Sequence, residues 1–268
     1  MVVWRAAVSS TSPSSGIDAL STHVAAQFGP QAQAYLQSEV HAQGAEFAEL
    51  RAGLAGHRNG RLLDLGCGAG HVSFQLAPLM DEVVAYDLSA DMLEVVAATA
   101  AERGLTQVRT LQGVAERLPF ESGSMDVVVS RYSAHHWSDL GQALREVRRV
   151  LRPGGIAALI DVVAPGLPLL DTHLQAIELL RDTSHVRDYS VAQWLQVVGD
   201  AGLHVQRHHC QRLQLDYLSW VDRMRTPEVL RAAIRALQDT AVDDVRDYFQ
   251  IGADGSFSTD VLVLWATR

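Results

Sequence analysis

A chain of 268 residues with 48% hydrophobic content can bury a core without staples, and two cysteines, Cys67 and Cys210, are too few for a disulfide framework or a thiolate zinc site. A formal charge of −9 removes the broad attraction to phosphate backbones, so nucleic acid is not an expected partner. Apolar runs such as residues 261 to 266 are far shorter than the roughly 20 residues a bilayer span requires, so no membrane partner is expected, and the cysteine usage points to a reduced, cytoplasmic compartment.

Residues 1 to 20 contain the run SSTSPSSG, show no sustained amphipathic period and are expected to form a disordered tail. Residues 21 to 268 are expected to form a single domain, with a core over about 60 to 165 and helical additions over about 21 to 58 and 170 to 250. The first addition, one or two helices, carries Phe28 and Tyr35. From residue 60, short β-rich apolar runs alternate with longer helical stretches, which predicts a parallel sheet covered by helices. The strands are expected at RLLDL (61 to 65), EVVAYD (82 to 87), VRTLQG (108 to 113), DVVVS (126 to 130) and IAALIDVV (156 to 163). Between them, residues 90 to 104 and 139 to 155 read as amphipathic helices, each stopped by glycine. Beyond the core, 170 to 202 reads as helical, 204 to 217 as extended, 218 to 248 as helical and 258 to 268 as a last strand.

The motif LLDLGCGAGH (62 to 71) places Gly66, Gly68 and Gly70 after a strand and at the opening of a helix, where backbone can approach a ligand closely. A dinucleotide fingerprint would need glycine at 71. His71 stands there, which argues against a diphosphate ligand. About 20 residues after Gly66, Asp87 ends the second strand, where doubly wound sheets place a carboxylate for ribose hydroxyls. Together these features predict a nucleoside site, although a glycine turn can simply pack helix on sheet and an end-of-strand aspartate can simply cap a helix.

The set LLDLGCGAGH, AYDLSADML, GVAERLPF, MDVVVSRYSAHHW and REVRRVLRPGG resembles class I S-adenosylmethionine-dependent methyltransferases of the UbiE-like group, most closely the YafE-type bacterial proteins. The resemblance implies an α/β, Rossmann-like fold with a mostly parallel seven-stranded sheet, S-adenosyl-L-methionine as cofactor, and SN2 methyl transfer from the sulfonium to a small-molecule acceptor. It further implies that the loop from Asp64 through Gly66 and Gly68 holds the methionine end, and that Asp87 binds the ribose. Leu88 and Met92 would pack on ribose and adenine, the Ala115 N–H would meet the adenine edge, and the Arg131 backbone would lie near the amino-acid moiety. Many relatives have aspartate before alanine in the motif read here as Val114-Ala115-Glu116, which leaves Glu116 as a candidate acceptor for the adenine amino group or as a plain surface charge.

His135 and His136 follow the fourth strand, at the region where such sheets bind ligands. They are the catalytic candidates: a proton-accepting base, or, as the alternative, one ring satisfied by a backbone carbonyl and the other shaping the pocket. No ligand spacing completes a metal set around them, and His208-His209-Cys210 is expected at a sheet surface or edge. Tyr35, Phe28, Tyr217, Trp220 and Met224 could cover the sulfonium. Arg181, Arg187, Arg223 and Arg225 could receive an anionic acceptor, or pair with Asp182, Asp188 and Asp222 on solvated surfaces. A non-catalytic cofactor sensor or partner subunit is the rival reading.

Overall fold

The protein is described by a computed structural model over residues 14–32, 36, 44–57 and 59–268. Helix α1, Ser14–Phe28, begins inside the stretch set apart as a tail, because Leu20 and Val24 pack against the ligand cleft described below. Residues 1–13 of that stretch lie outside the described residues, as does Tyr35.

Among the described residues seven strands form one sheet in the order β3-β2-β1-β4-β5-β7-β6. They are β1 Arg61–Leu65, β2 Glu82–Asp87, β3 Val108–Gln112, β4 Met125–Arg131, β5 Leu151–Val163, β6 His204–Leu215 and β7 Phe257–Thr267. The first five are parallel, whereas β7 runs antiparallel between β5 and β6. Successive residues of β1, β4 and β7 alternate between two cores: Leu63, Val128, Leu262 and Leu264 face one, and Leu62, Val127, Val129, Val261 and Val263 face the other. A strand buried on both faces needs apolar residues at every position, which is why these strands read as unbroken runs.

One face is covered by α5, Leu140–Val150, and α7, Val191–Asp200, through Leu144, Val147 and Trp194. The other is covered by α2, Ala45–Gly53, and α3, His71–Leu76, through Phe47, Leu50 and Leu76. Helix α4, Ala90–Glu102, starts on the Ser89 side chain, which accepts from Met92 N–H, and stops before Gly104. A third core joins α6, Pro168–Arg181, with α8, Tyr217–Arg223, α9, Glu228–Asp239, and α10, Asp243–Phe249, around Leu174, Trp220, Ile234 and Phe249.

Three stretches differ from the sequence reading. Helix α5 ends at Val150 instead of continuing to Gly155, since Arg152 precedes Pro153 and a residue before proline is pushed to extended backbone. Strand β5 therefore starts at Leu151. The stretch 170 to 202 breaks over residues 182 to 190, and 218 to 248 divides at Thr226-Pro227 and again before Asp243.

Candidate active site

The parallel strands deliver their C-terminal ends to one side of the sheet, and there the loop after β1 turns through Gly66 at φ +72° and Gly68 at φ +49°. The amides of Gly66 and Cys67 donate to the Tyr86 carbonyl at 2.8 and 3.1 Å, fastening this loop to β2. A Cβ on Gly66 would stand 1.9 Å from Ser133 Oγ, so the loop after β4 packs directly on it. A Cβ on Gly68 would meet nothing within 4 Å, because that glycine borders an open cleft.

Two carboxylates, the partly buried Asp87 and the buried Asp64, shape the loop. Asp87 accepts from Gly68 N–H at 2.8 Å and from Ser89 N–H at 2.9 Å, joining the glycine turn to the start of α4. Burial raises its pKa against the lowering effect of these amides. Asp64 accepts from the Ser73 N–H and hydroxyl at 2.9 and 2.6 Å, and burial pushes it up to about 7. The Cys67 thiol is buried in the same turn, held well above its ordinary pKa by burial, Asp87 and Asp64.

All the residues expected to hold a cofactor, namely Asp64, Gly66, Gly68, Asp87, Leu88, Met92, Ala115, Glu116 and Arg131, line one cleft of about 1090 Å³, and His136 lines it too. Glu116 is more than a surface charge: its Oε1 accepts from Ser138 N–H and Oγ, both at 2.8 Å, and from Asp139 N–H at 3.2 Å, bracing the entry to α5. The Arg131 guanidinium is bound by Glu46 of α2 at 2.7 Å, both side chains being 4% exposed. Its charge is thereby matched, and the cleft keeps Asp64, Asp87 and Glu116. Such a lining suits a cationic nucleoside.

Residues 63–159 match the family described as "Methyltransferase domain". YafE of Escherichia coli (strain K12) is 49% identical over 203 residues, covering 76% of this chain and 98% of that protein. The chain belongs to the class I S-adenosylmethionine-dependent methyltransferases. The methyltransferase YcgJ of Bacillus subtilis (strain 168) is 36% identical over 224 residues, covering 84% of this chain and 88% of that one. Its crystal structure aligns with a TM-score of 0.80 at 35% identity, over 84% of this chain and 99% of that chain. A demethylmenaquinone methyltransferase of Lactococcus lactis is 39% identical over 121 residues, 44% of this chain and 47% of its own, which places this methyltransferase in the UbiE-like group. S-Adenosylmethionine is its cofactor, and the enzyme is a methyltransferase.

A second cavity of about 620 Å³ adjoins the cofactor cleft, and Phe28, Tyr132 and His136 line both. Helix α1 spans the junction: Phe28 meets the His136 ring edge-on at 4.9 Å, and His23 Nε2 lies 2.9 Å from Thr183 Oγ1 in the α6–α7 loop. Leu213, Leu215, Val162 and Trp220 give the second cavity an apolar lining, to which His135, Glu178, Arg181, Asp188 and Arg223 add polar groups. Of the aromatic cover residues, Phe28 and Trp220 reach this cavity, whereas Tyr217 and Met224 are buried outside either lining set.

The adjacent histidines divide their tasks. Their rings lie 4.2 Å apart within the turn Ala134–His136 and the loop that leads into it. His135 Nδ1 is 2.6 Å from Asp161 Oδ1; burial opposes a charge on this ring, yet Asp161, Asp188 and Glu178 outweigh burial and raise its pKa to about 9. His136 is held near 4 by burial and by the neighbouring His135 charge. Its Nδ1 lies 3.1 Å from the Ser184 carbonyl, which fixes Nδ1 as the protonated nitrogen. At neutral pH the pair carries one proton in excess, on His135.

Asp161 was missed in the sequence. It accepts from Ala134 N–H at 2.7 Å, His135 N–H at 3.3 Å and Val162 N–H at 2.9 Å as well as from the His135 ring, and so organises the whole turn. An acid inside the apolar run IAALIDVV was the available signal. The cation cluster divides between the two expectations. Asp182 and Asp188 are each 1% exposed, Arg181 stands 3.6 Å from Glu178, and Arg187 reaches outward to Asp171 at 2.8 Å. Arg181 and Arg223 line the second cavity; Arg187 and Arg225 do not. His208, His209 and Cys210 are exposed on the edge strand β6.

Proposed function

We propose that this methyltransferase transfers the sulfonium methyl to a small-molecule acceptor held in the second cavity. The carrying observation is the junction: Phe28, Tyr132 and His136 border both cavities, so a donor in one and an acceptor in the other meet across a single ring of side chains. When bound, S-adenosylmethionine supplies an electrophilic methyl on sulfur. The nine cleft residues would hold it, with Asp87 on the ribose and the Asp64–Gly68 loop against the methionine end.

What the chain itself contributes is alignment and exclusion of water. A pKa near 4 leaves His136 uncharged, a suitable wall beside a sulfonium, which a cation would repel. The same value makes it a weak base at neutral pH, so this reading gives His136 a shaping role in in-line positioning. Helix α1 closes the junction from above through Phe28. The name of one relative supports a small acceptor, demethylmenaquinone, whereas others are named for malonyl-[acyl-carrier protein].

The test is incubation of the protein with methyl-labelled S-adenosylmethionine and a protein-free metabolite extract. Label in a low-molecular-weight product, with stoichiometric S-adenosylhomocysteine, is the expected result. Label that reaches only protein or nucleic acid in an unfractionated extract would refute the small-molecule reading.

A further inference from the structure

The second cavity contains a carboxylate that is firmly placed and only partly bonded. Asp188, 1% exposed, lies in the loop between α6 and α7. One side chain clamps its backbone from both sides: the Gln175 carboxamide accepts from Asp188 N–H at 3.2 Å and donates to the Asp188 carbonyl at 2.7 Å. Gln175 is itself fixed by His185 Nε2 at 3.0 Å and by Asp171 at 2.9 Å. The clamp engages only the Asp188 backbone, and Asp188 is among the residues that line the second cavity. Its Oδ2 is buried with no hydrogen-bond partner, and His185 Nε2, 3.9 Å away, is beyond hydrogen-bond reach. Asp182 also has a bare buried oxygen, but its other oxygen accepts from the Ser184 amide and hydroxyl, and it is not part of the cavity wall. A buried acceptor without a donor costs free energy unless a ligand brings the donor.

We propose that Asp188 binds the hydrogen-bearing group of the methyl acceptor and takes its proton during transfer. This rests on the reading that the second cavity holds the acceptor. It names the acceptor's class: an uncharged molecule with an apolar body and a hydroxyl or N–H at the reacting atom. The acceptor's lone pair forms the new bond to the methyl carbon, the carbon–sulfur bond breaks with its electron pair left on sulfur, and the acceptor's proton passes to the carboxylate. One cation and one anion enter the step, and neither is left in the products. In a poorly solvated cavity, losing that charge separation favours the forward direction.

The surroundings suit the role. Burial first, then Glu178 and Asp171 on α6 and Asp161 on β5, raise the proton affinity of Asp188 well above that of an ordinary carboxylate, while His135 on the turn after β4 lowers it. His185 in the same loop is kept neutral by burial and by its cationic neighbours. Arg181 from α6 and Arg223 from α8 border the cavity, Arg181 being engaged with Glu178. A carboxylate-bearing acceptor would set a further anion against Glu178 and Asp188.

The experiment compares wild type, Asp188→Asn and Asp188→Glu with methyl-labelled S-adenosylmethionine and a protein-free bacterial metabolite extract, together with the S-adenosylhomocysteine affinity of each. Asn is expected to lower label transfer roughly 100-fold or more at unchanged S-adenosylhomocysteine affinity, and Glu to recover part of the loss. Wild-type transfer is expected to fall on the acid side of its pH profile, and the labelled product to be an O- or N-methyl compound. A folded Asn variant at wild-type rate, a wild-type profile with no acid limb, or a labelled methyl ester would each overturn the assignment. Should the Asn variant not fold, the wild-type profile and the product still decide. Wild-type protein that transfers no label to any small molecule refutes the small-acceptor reading itself, an outcome distinct from the failure of Asp188 alone.

Discussion

Replacing Asp161 by Asn keeps the side-chain shape and removes the charge that the His135 ring is bound to. In the native protein the two Asp161 oxygens accept from three backbone amides and from His135 Nδ1. An asparagine must turn its NH2 toward one of those pairs, leaving two donors facing a donor whichever way it flips. Holding His135 at about 9 instead of its ordinary 6.5 corresponds to about 3 kcal/mol, since one pKa unit is about 1.4 kcal/mol. Unsatisfied buried donors add about 1 to 3 kcal/mol each, and loss of one partner from a buried ion pair commonly costs about 3 to 5 kcal/mol in total, so a loss of about 3 to 5 kcal/mol is expected. Because the folded value is raised, the stabilisation from the imidazolium is complete below pH 6.5 and is lost as pH rises through about 9. Denaturant unfolding of wild type and Asp161→Asn at pH 6 and at pH 10 should therefore show a large difference at pH 6 that shrinks by about 3 kcal/mol at pH 10. An equal difference at the two pH values, or a cost below about 1 kcal/mol at pH 6, would refute the ion-pair account.

Other outcomes follow from the cofactor cleft and its rim. Asp87→Ala should weaken S-adenosylhomocysteine binding by on the order of 1 to 3 kcal/mol in calorimetry, because the ribose contact proposed for Asp87 and its tie to Gly68 would both be lost; unchanged affinity in a folded variant would remove Asp87 from the site. Gly66→Ala places a methyl on Ser133 and should lower unfolding stability by about 2 kcal/mol or more, whereas Gly68→Ala, with only backbone strain of about 1 kcal/mol, should chiefly weaken cofactor binding. A Gly68→Ala protein that binds S-adenosylhomocysteine like wild type would show that this turn does not approach the ligand. Arg187→Ala should leave the acceptor KM within about twofold once an acceptor is in hand, since its guanidinium points outward to Asp171; a large rise in KM would put it back at the cavity.

The core was legible because its rules are local. Alternating burial on both sheet faces demands apolar runs, a glycine turn after β1 must have positive φ, and an acid must end β2 if it is to hold that turn. These left Leu62 to Gly70 and Glu82 to Asp87 readable residue by residue. The acceptor side is different in kind. Whether Asp182 and Asp188 are buried or solvated depends on which way the α6–α7 loop folds onto β5, through the Tyr189 carbonyl on Ala164 N–H and the clamp from Gln175, and none of that has a periodic trace. In RDTSHVRDY the arginines drew attention as possible ligands, while the aspartates beside them are the groups the fold buries. The histidine pair was located correctly at the end of β4, but their division into one charged and one neutral ring depends on Asp161, contributed by the next strand of the sheet.

Cys67 gives the donor cleft a property unrelated to binding. A sulfonium methyl is an alkylating agent, and a thiolate is among the best nucleophiles a protein can offer it. Cys67 is among the residues bordering the cleft, with its side chain packed in the small core of Phe74, Ala85 and Val96. Burial, followed by the negative charges of Asp87 and Asp64, keeps that sulfur protonated. The two carboxylates that line the cleft thus also hold the sulfur beside it in its protonated, weakly nucleophilic form.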